Sequence, residues 1–213
     1  MAFVTGGKHF GQYTFDHWYD HEYDENDPDT MNNKTKKERP MQKDTFVLWA
    51  KYNRVVNEKM DGIISTLNPL EWNKDLGGYF KSIRGICSHL YVCDFNWLKR
   101  FSNLRDFSVF KESVFSREPY PFFSEILFED MKEYLRMRPL LDEKICALMN
   151  EITEEDLHSL LKYTDSHGTV QELLFGGLLM QTLNHDTHHR GMISLYLELL
   201  GRDNDFSFFG AVL

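Results

Sequence analysis

Three histidines stand in the stretch Asn184-His185-Asp186-Thr187-His188-His189-Arg190-Gly191. His185 and His189 are four residues apart, so on a helix their imidazoles leave one face a turn apart and can grip a single metal ion. His188 sits about 300° around from His185 and belongs to the rim of such a face. The same residues also read as His185-Asp186-x-x-His189, the zinc-peptidase pattern H-E-x-x-H with Asp in place of Glu. That carboxylate is one methylene short, and no third ligand follows at a peptidase spacing. Far upstream lies His89, with Cys93 one turn on. A lone histidine is not a site, because a metal needs several donors. Joined to the first pair, it would give three neutral nitrogens with coordination positions left open, the pattern of a catalytic rather than a structural metal.

The elements that must carry these residues are helices. Phe46, Trp49, Ala50, Asn53, Val56, Met60, Ile63, Ile64 and Leu67 trace one stripe of a first helix, capped at Asp44 or Thr45 and ended by Asn68-Pro69. A linker over 70–78 leads to a second helix at 79–104, whose apolar positions include Phe80, Ile83, Ile86, Leu90, Trp97 and Phe101. A third spans 127–151, with Pro139 kinking it or starting its second half. A fourth, at 171–200, carries His185 and His189 and closes on Gly201. The turn at Thr164-Asp165-Ser166-His167-Gly168 allows a small hairpin before it. The long Phe-rich connection at 102–124 and the Phe-rich tail are expected to pack onto the helices. The economical architecture is an all-α four-helix bundle in which facing helices bring His89 to His185 and His189.

Composition narrows the class. With 213 residues, 42% apolar and 15% aromatic, the chain holds enough for one generous core. Residues 1–42 differ in kind, being acidic, then basic and without period. His9, His17 and His21 beside Asp16, Asp20 and Asp24 offer an accessory metal site there, but a loosely docked extension is the expectation, with the domain at 43–213. A net charge of −9 argues against nucleic-acid and anionic-membrane partners. No apolar run is long enough to cross a bilayer and no secretory signal is apparent. Three cysteines leave an odd thiol, which fits a reducing cytoplasm.

The piece from Tyr79 to Leu98, with His89 followed later by Asp94-Phe95-Asn96-Trp97, resembles the second helix of the DinB/YfiT family. His185 to Gly191 is similar to that family's C-terminal H-x-x-x-H-R-G signature. The resemblance covers about 41–213 and implies a variant up-and-down four-helix bundle that frequently forms homodimers. It implies a divalent metal, zinc or nickel first and iron or manganese after, on His89, His185 and His189. Where the family often has Gln after H-R-G, this chain has Met192. Asp94 and Arg190 would orient ligands or pair within the bundle, Cys93 would be a fourth ligand or a small buried hydrophobe, and His188 would line the rim. The activity implied is that of a metal-dependent hydrolase or a thiol-dependent transferase acting on a small molecule, with a low-molecular-weight thiol as one partner. The alternatives are a non-catalytic, metal-stabilised, stress-related scaffold and, behind it, the peptidase.

Overall fold

A computed structural model describes residues 41–111, 113–116, 118–120 and 126–213. The expected accessory site at His9, His17 and His21, nearly all of the expected extension, and Phe122 and Phe123 lie outside the described residues. What is described is mostly helical, with one two-stranded sheet. No helix among these residues is long and apolar enough to cross a membrane.

Helix α1 (Lys43–Ile64) buries Phe46, Ala50, Asn53, Val56, Met60 and Ile64 at spacings of three and four. Each large apolar member contributes roughly 1.5–3 kcal/mol of burial. The expected linker after it contains a short helix, α2 (Pro69–Asn73). Asn68 caps it, accepting from Leu70 and Glu71, while Glu71 returns a bond to the Asn68 N–H, and Pro69 costs nothing at a position with no intrahelical donor to lose.

Helix α3 (Ile83–Phe101) starts four residues later than its apolar pattern suggests. Gly77, Gly78 and Lys81 all have positive φ, of 82°, 70° and 64°, which no helix accepts, and Ser82 then caps Gly85 N–H at 3.1 Å. Phe80 is therefore part of a turn, not of a helical stripe. Helix α4 (Met131–Glu151) is likewise shorter than expected, because Asp130 caps it and leaves Leu127 and Phe128 outside. It runs unbroken through Pro139.

The expected hairpin forms from β1 (Leu160–Thr164) and β2 (Val170–Leu174), paired antiparallel with Leu160 opposite Leu174. Between α4 and the hairpin lies a single capped turn, α5 (Glu154–Leu157). Strand β2 claims the residues expected to open the last helix, so α6 is Phe175–Leu199. Its end is a Schellman closure: Gly201 at φ 72° donates to Glu198, and Arg202 donates to Leu197.

Helix α1 packs on α4 and α6, and α3 packs on the same two, so the four long helices enclose one apolar core. The loop aromatics Phe107 and Phe115 are buried in it, where Phe115 stacks on Phe95 and Phe107 on Phe175. In the tail, Phe206 is buried and Phe209 stacks on Tyr52 at 4.4 Å, whereas Phe208 stays exposed.

Candidate metal centre

The packing of α3 on α6 brings His89, His185 and His189 together, with one ligand-capable atom of each within 4.8 Å of the others. The His185 Nε2 is 3.3 Å from the His89 Nε2 and 3.0 Å from the His189 Nε2. Two nitrogens bound tetrahedrally to one ion at 2.0–2.1 Å would lie about 3.3 Å apart, so the ring nitrogens already have nearly the spacing of ligands on a shared ion.

Burial shapes their chemistry. His185 and His189 are buried and His89 is half-buried. Burial first, and then the neighbouring His189, His89 and His188, push the His185 imidazolium well below the usual histidine range. The same effects bring His189 down to about 3. Both rings are neutral at pH 7, the state in which an imidazole nitrogen can donate its lone pair to a metal. The donor set thus fits a divalent ion of the kind nitrogen ligands take.

Residues 31–205 match the DinB family. The chain belongs to the DinB family. The match begins upstream of the body inferred from sequence and stops at residue 205. Protein DinB of Bacillus subtilis (strain 168) is 25% identical over 152 residues, covering 70% of this chain and 83% of that protein. No solved structure matches.

The other residues singled out by the DinB resemblance fall around the cluster in different ways. Cys93 Sγ lies 3.5 Å from Nε2 and 3.6 Å from Nδ1 of His89. A sulfur nearly equidistant from both ring nitrogens rests against the ring instead of sharing an ion with Nε2, and it is absent from the convergent group. Burial, then Asp94 and Asp186, push its thiol far up, as befits a small buried hydrophobe. His188 is exposed, with its ring 4.8 Å from that of His189, at the rim. His189 Nδ1 has no hydrogen-bond partner among the described residues.

Asp94 and Arg190 take part in a buried polar network beside the histidines. Arg138 of α4 donates to Asp94 on α3 at 2.6 Å and to Asp142 on its own helix, and lies 3.9 Å from Asp186 on α6. Asn57 of α1 donates to Asp142 at 3.1 Å. Asn53 donates to Asp186 at 3.1 Å and accepts from Arg190 at 2.8 Å, and Arg190 also reaches Thr187 and the face of Tyr52. All four long helices contribute. Burial, then Asp186, pushes the Asp94 carboxyl well above the carboxylate range despite Arg138. Burial also works against the charge on Arg138, but Asp142, Asp94 and Asp186 outweigh it. Burial raises Asp142 as well as Asp94, so both carboxyl groups hold their protons more firmly than free ones while Arg138 opposes the rise.

Asp186 thus bonds Asn53 of α1 and lies near Arg138 of α4, a buried setting unlike that of a water-facing peptidase base. Sequence reasoning missed Arg138, Asp142 and Asn57. Their trace was present in Asn53, a polar residue on the apolar stripe of α1, and in the Arg138/Asp142 pair one turn apart. It also missed the position of Phe80, whose ring centroid lies 4.5 Å from that of His89 and 5.2 Å from that of His189.

Proposed function

We propose that this DinB-family chain is a metal-dependent enzyme, built on a variant up-and-down four-helix bundle over 43–213, that binds one divalent ion on His89, His185 and His189. The observation that carries this reading is the convergence of three ring nitrogens at ligand-like spacing. Zinc or nickel is the first expectation for such donors, with iron or manganese next. When bound, the ion would acidify a coordinated water or thiol and so supply a nucleophile near neutral pH. The chain's own residues do the rest. Burial keeps His185 and His189 deprotonated, the network through Arg138 fixes α6 against α3 and α4, and Phe80 and His188 border the approach from solvent. The substrate class is a small molecule, handled by hydrolysis or by transfer to a low-molecular-weight thiol, in a cytoplasmic homodimer.

Purification without chelators followed by elemental analysis tests the site, with about one ion per chain expected. His89→Ala should lower that content by at least about tenfold, as loss of a direct ligand demands. A wild type free of metal after such a purification would defeat the proposal. A screen of thiol-transfer and ester-hydrolysis substrates tests the chemistry. Metal-dependent stability with no turnover on any of them would favour the non-catalytic scaffold.

A further inference from the structure

Phe80 reaches the histidines through an unusual piece of backbone. Ser82 N–H donates to the Phe80 carbonyl at 2.7 Å, closing a three-residue turn around Lys81 at φ 64°. A γ-turn with positive φ is rare and strained, and Lys81 has a Cβ to pay for it. The surroundings hold the turn in place. Leu76 N–H donates to the Lys81 carbonyl at 2.7 Å, the Tyr196 hydroxyl of α6 donates to the Gly77 carbonyl, and Gly77 N–H is bound by the Asp75 side chain at 2.9 Å. Helix α3 makes room for it, because a Cβ at Gly85 would overlap the Phe80 carbonyl oxygen. The result is an aromatic ring tilted 35° over His89 and edge-on to His189, half-buried, beside the one histidine of the three that is not fully buried. Strain held in place by several independent contacts points to a use for the position it enforces.

We infer that Phe80 is the specificity-determining residue of the three-histidine site: its ring narrows the approach to the ion so that a thiol on a slender, unbranched chain enters and a branched one is excluded. This rests on the metal reading above. The held backbone fixes where the side chain leaves the turn, and the ring packs against both His89 and His189, so its bulk stands beside them as a wall. The discrimination is steric, with the wall penalising the wrong ligand instead of rewarding the right one.

The test uses the full-length protein loaded with Co(II), whose visible spectrum reports ligands entering the site without requiring turnover. The probes are 2-mercaptoethanol and tert-butylthiol. In wild type the slender thiol should bind about tenfold or more tightly than the branched one, the scale of discrimination a shaped apolar wall provides. Phe80→Ala should bring the two to within about twofold, mostly by tightening the branched thiol, with Co(II) affinity unchanged. Gly85→Ala keeps the ring but displaces the turn, and should move the ratio in the same direction, which covers the case in which Phe80→Ala fails to fold. An unchanged ratio in a Co(II)-loaded Phe80→Ala protein overturns the assignment and leaves the metal site standing. Failure of wild type to take up Co(II) overturns the metal reading itself.

Discussion

Replacing Arg138 by Met keeps most of its volume and removes its charge from a place with no water to compensate. Arg138 is 1% exposed and sits among Asp94, Asp142 and Asp186. Two of the lost bonds, to Asp94 at 2.6 Å and from Nε to Asp142 at 3.0 Å, are charge-assisted and worth about 1.5–3 kcal/mol each before desolvation is counted. Burying the guanidinium offsets much of that, so the pair is a weak net stabiliser, yet removing one partner strands the other charges. The expected loss is about 3–5 kcal/mol at pH 8. The pH dependence has a definite sign. Asp94 and Asp142 already have folded-state values raised above the unfolded ones, by burial first, and Arg138 is what opposes the rise. Without it both rise further, so the variant is hurt most above the unfolded carboxylate range and least near pH 4, where both carboxyls are protonated. Urea denaturation of metal-free wild type and Arg138→Met at pH 8 and pH 5 measures this, with Arg138→Lys expected between them. A loss below about 1 kcal/mol at both pH values would refute the claim that the guanidinium neutralises the buried acids.

Two further outcomes follow from buried groups. Asp61 is buried and its carboxyl is pushed up to about 7, by burial first and then by Asp142. Its raised value means wild type loses stability as pH climbs from about 4 to 7, so Asp61→Asn should be the more stable protein at pH 8 by roughly 1–4 kcal/mol, with the gain vanishing near pH 4 in paired denaturation curves. The neutral histidines act in the opposite direction. His185 and His189 have folded values below the unfolded one, so metal-free protein should lose stability as pH falls below about 6.5, by up to about 1.4 kcal/mol per pH unit for each ring. Thermal melts in EDTA, compared with a His185→Gln/His189→Gln variant to cancel Asp61, check it; parallel pH profiles would count against buried neutral rings.

The sequence disclosed the four long helices through their mainly apolar stripes, and it disclosed the histidines because a spacing of four has a single geometric meaning on a helix. It misplaced boundaries wherever backbone chemistry overrode hydrophobic period. Phe80 continues the apolar pattern of α3, yet the positive φ at Lys81 takes it off the helix, and no one-residue propensity announces a γ-turn. Strand β2 similarly absorbed residues that helical periodicity assigned to α6. Arg138 and Asp142 stayed hidden for a different reason. A charged pair one turn apart usually lies on a solvated face, and only the approach of Asn57, Asp94 and Asp186 from three other helices reveals that this one faces inward.

Helix α6 alternates two kinds of polar residue within one stretch: His185 and His189 toward α3, and Asp186 and Arg190, each one position later, toward α1. One residue is about 100° of rotation. If α6 were turned by that step, the carboxylate and guanidinium would confront His89, and the imidazoles would swing away from it. Neither arrangement satisfies both neighbours, so the helix is keyed twice, once by charge and once by the nitrogens. A protein whose clustered imidazoles lie 96 residues apart in sequence has thereby built the proofreading of its own angular setting into adjacent letters of that sequence.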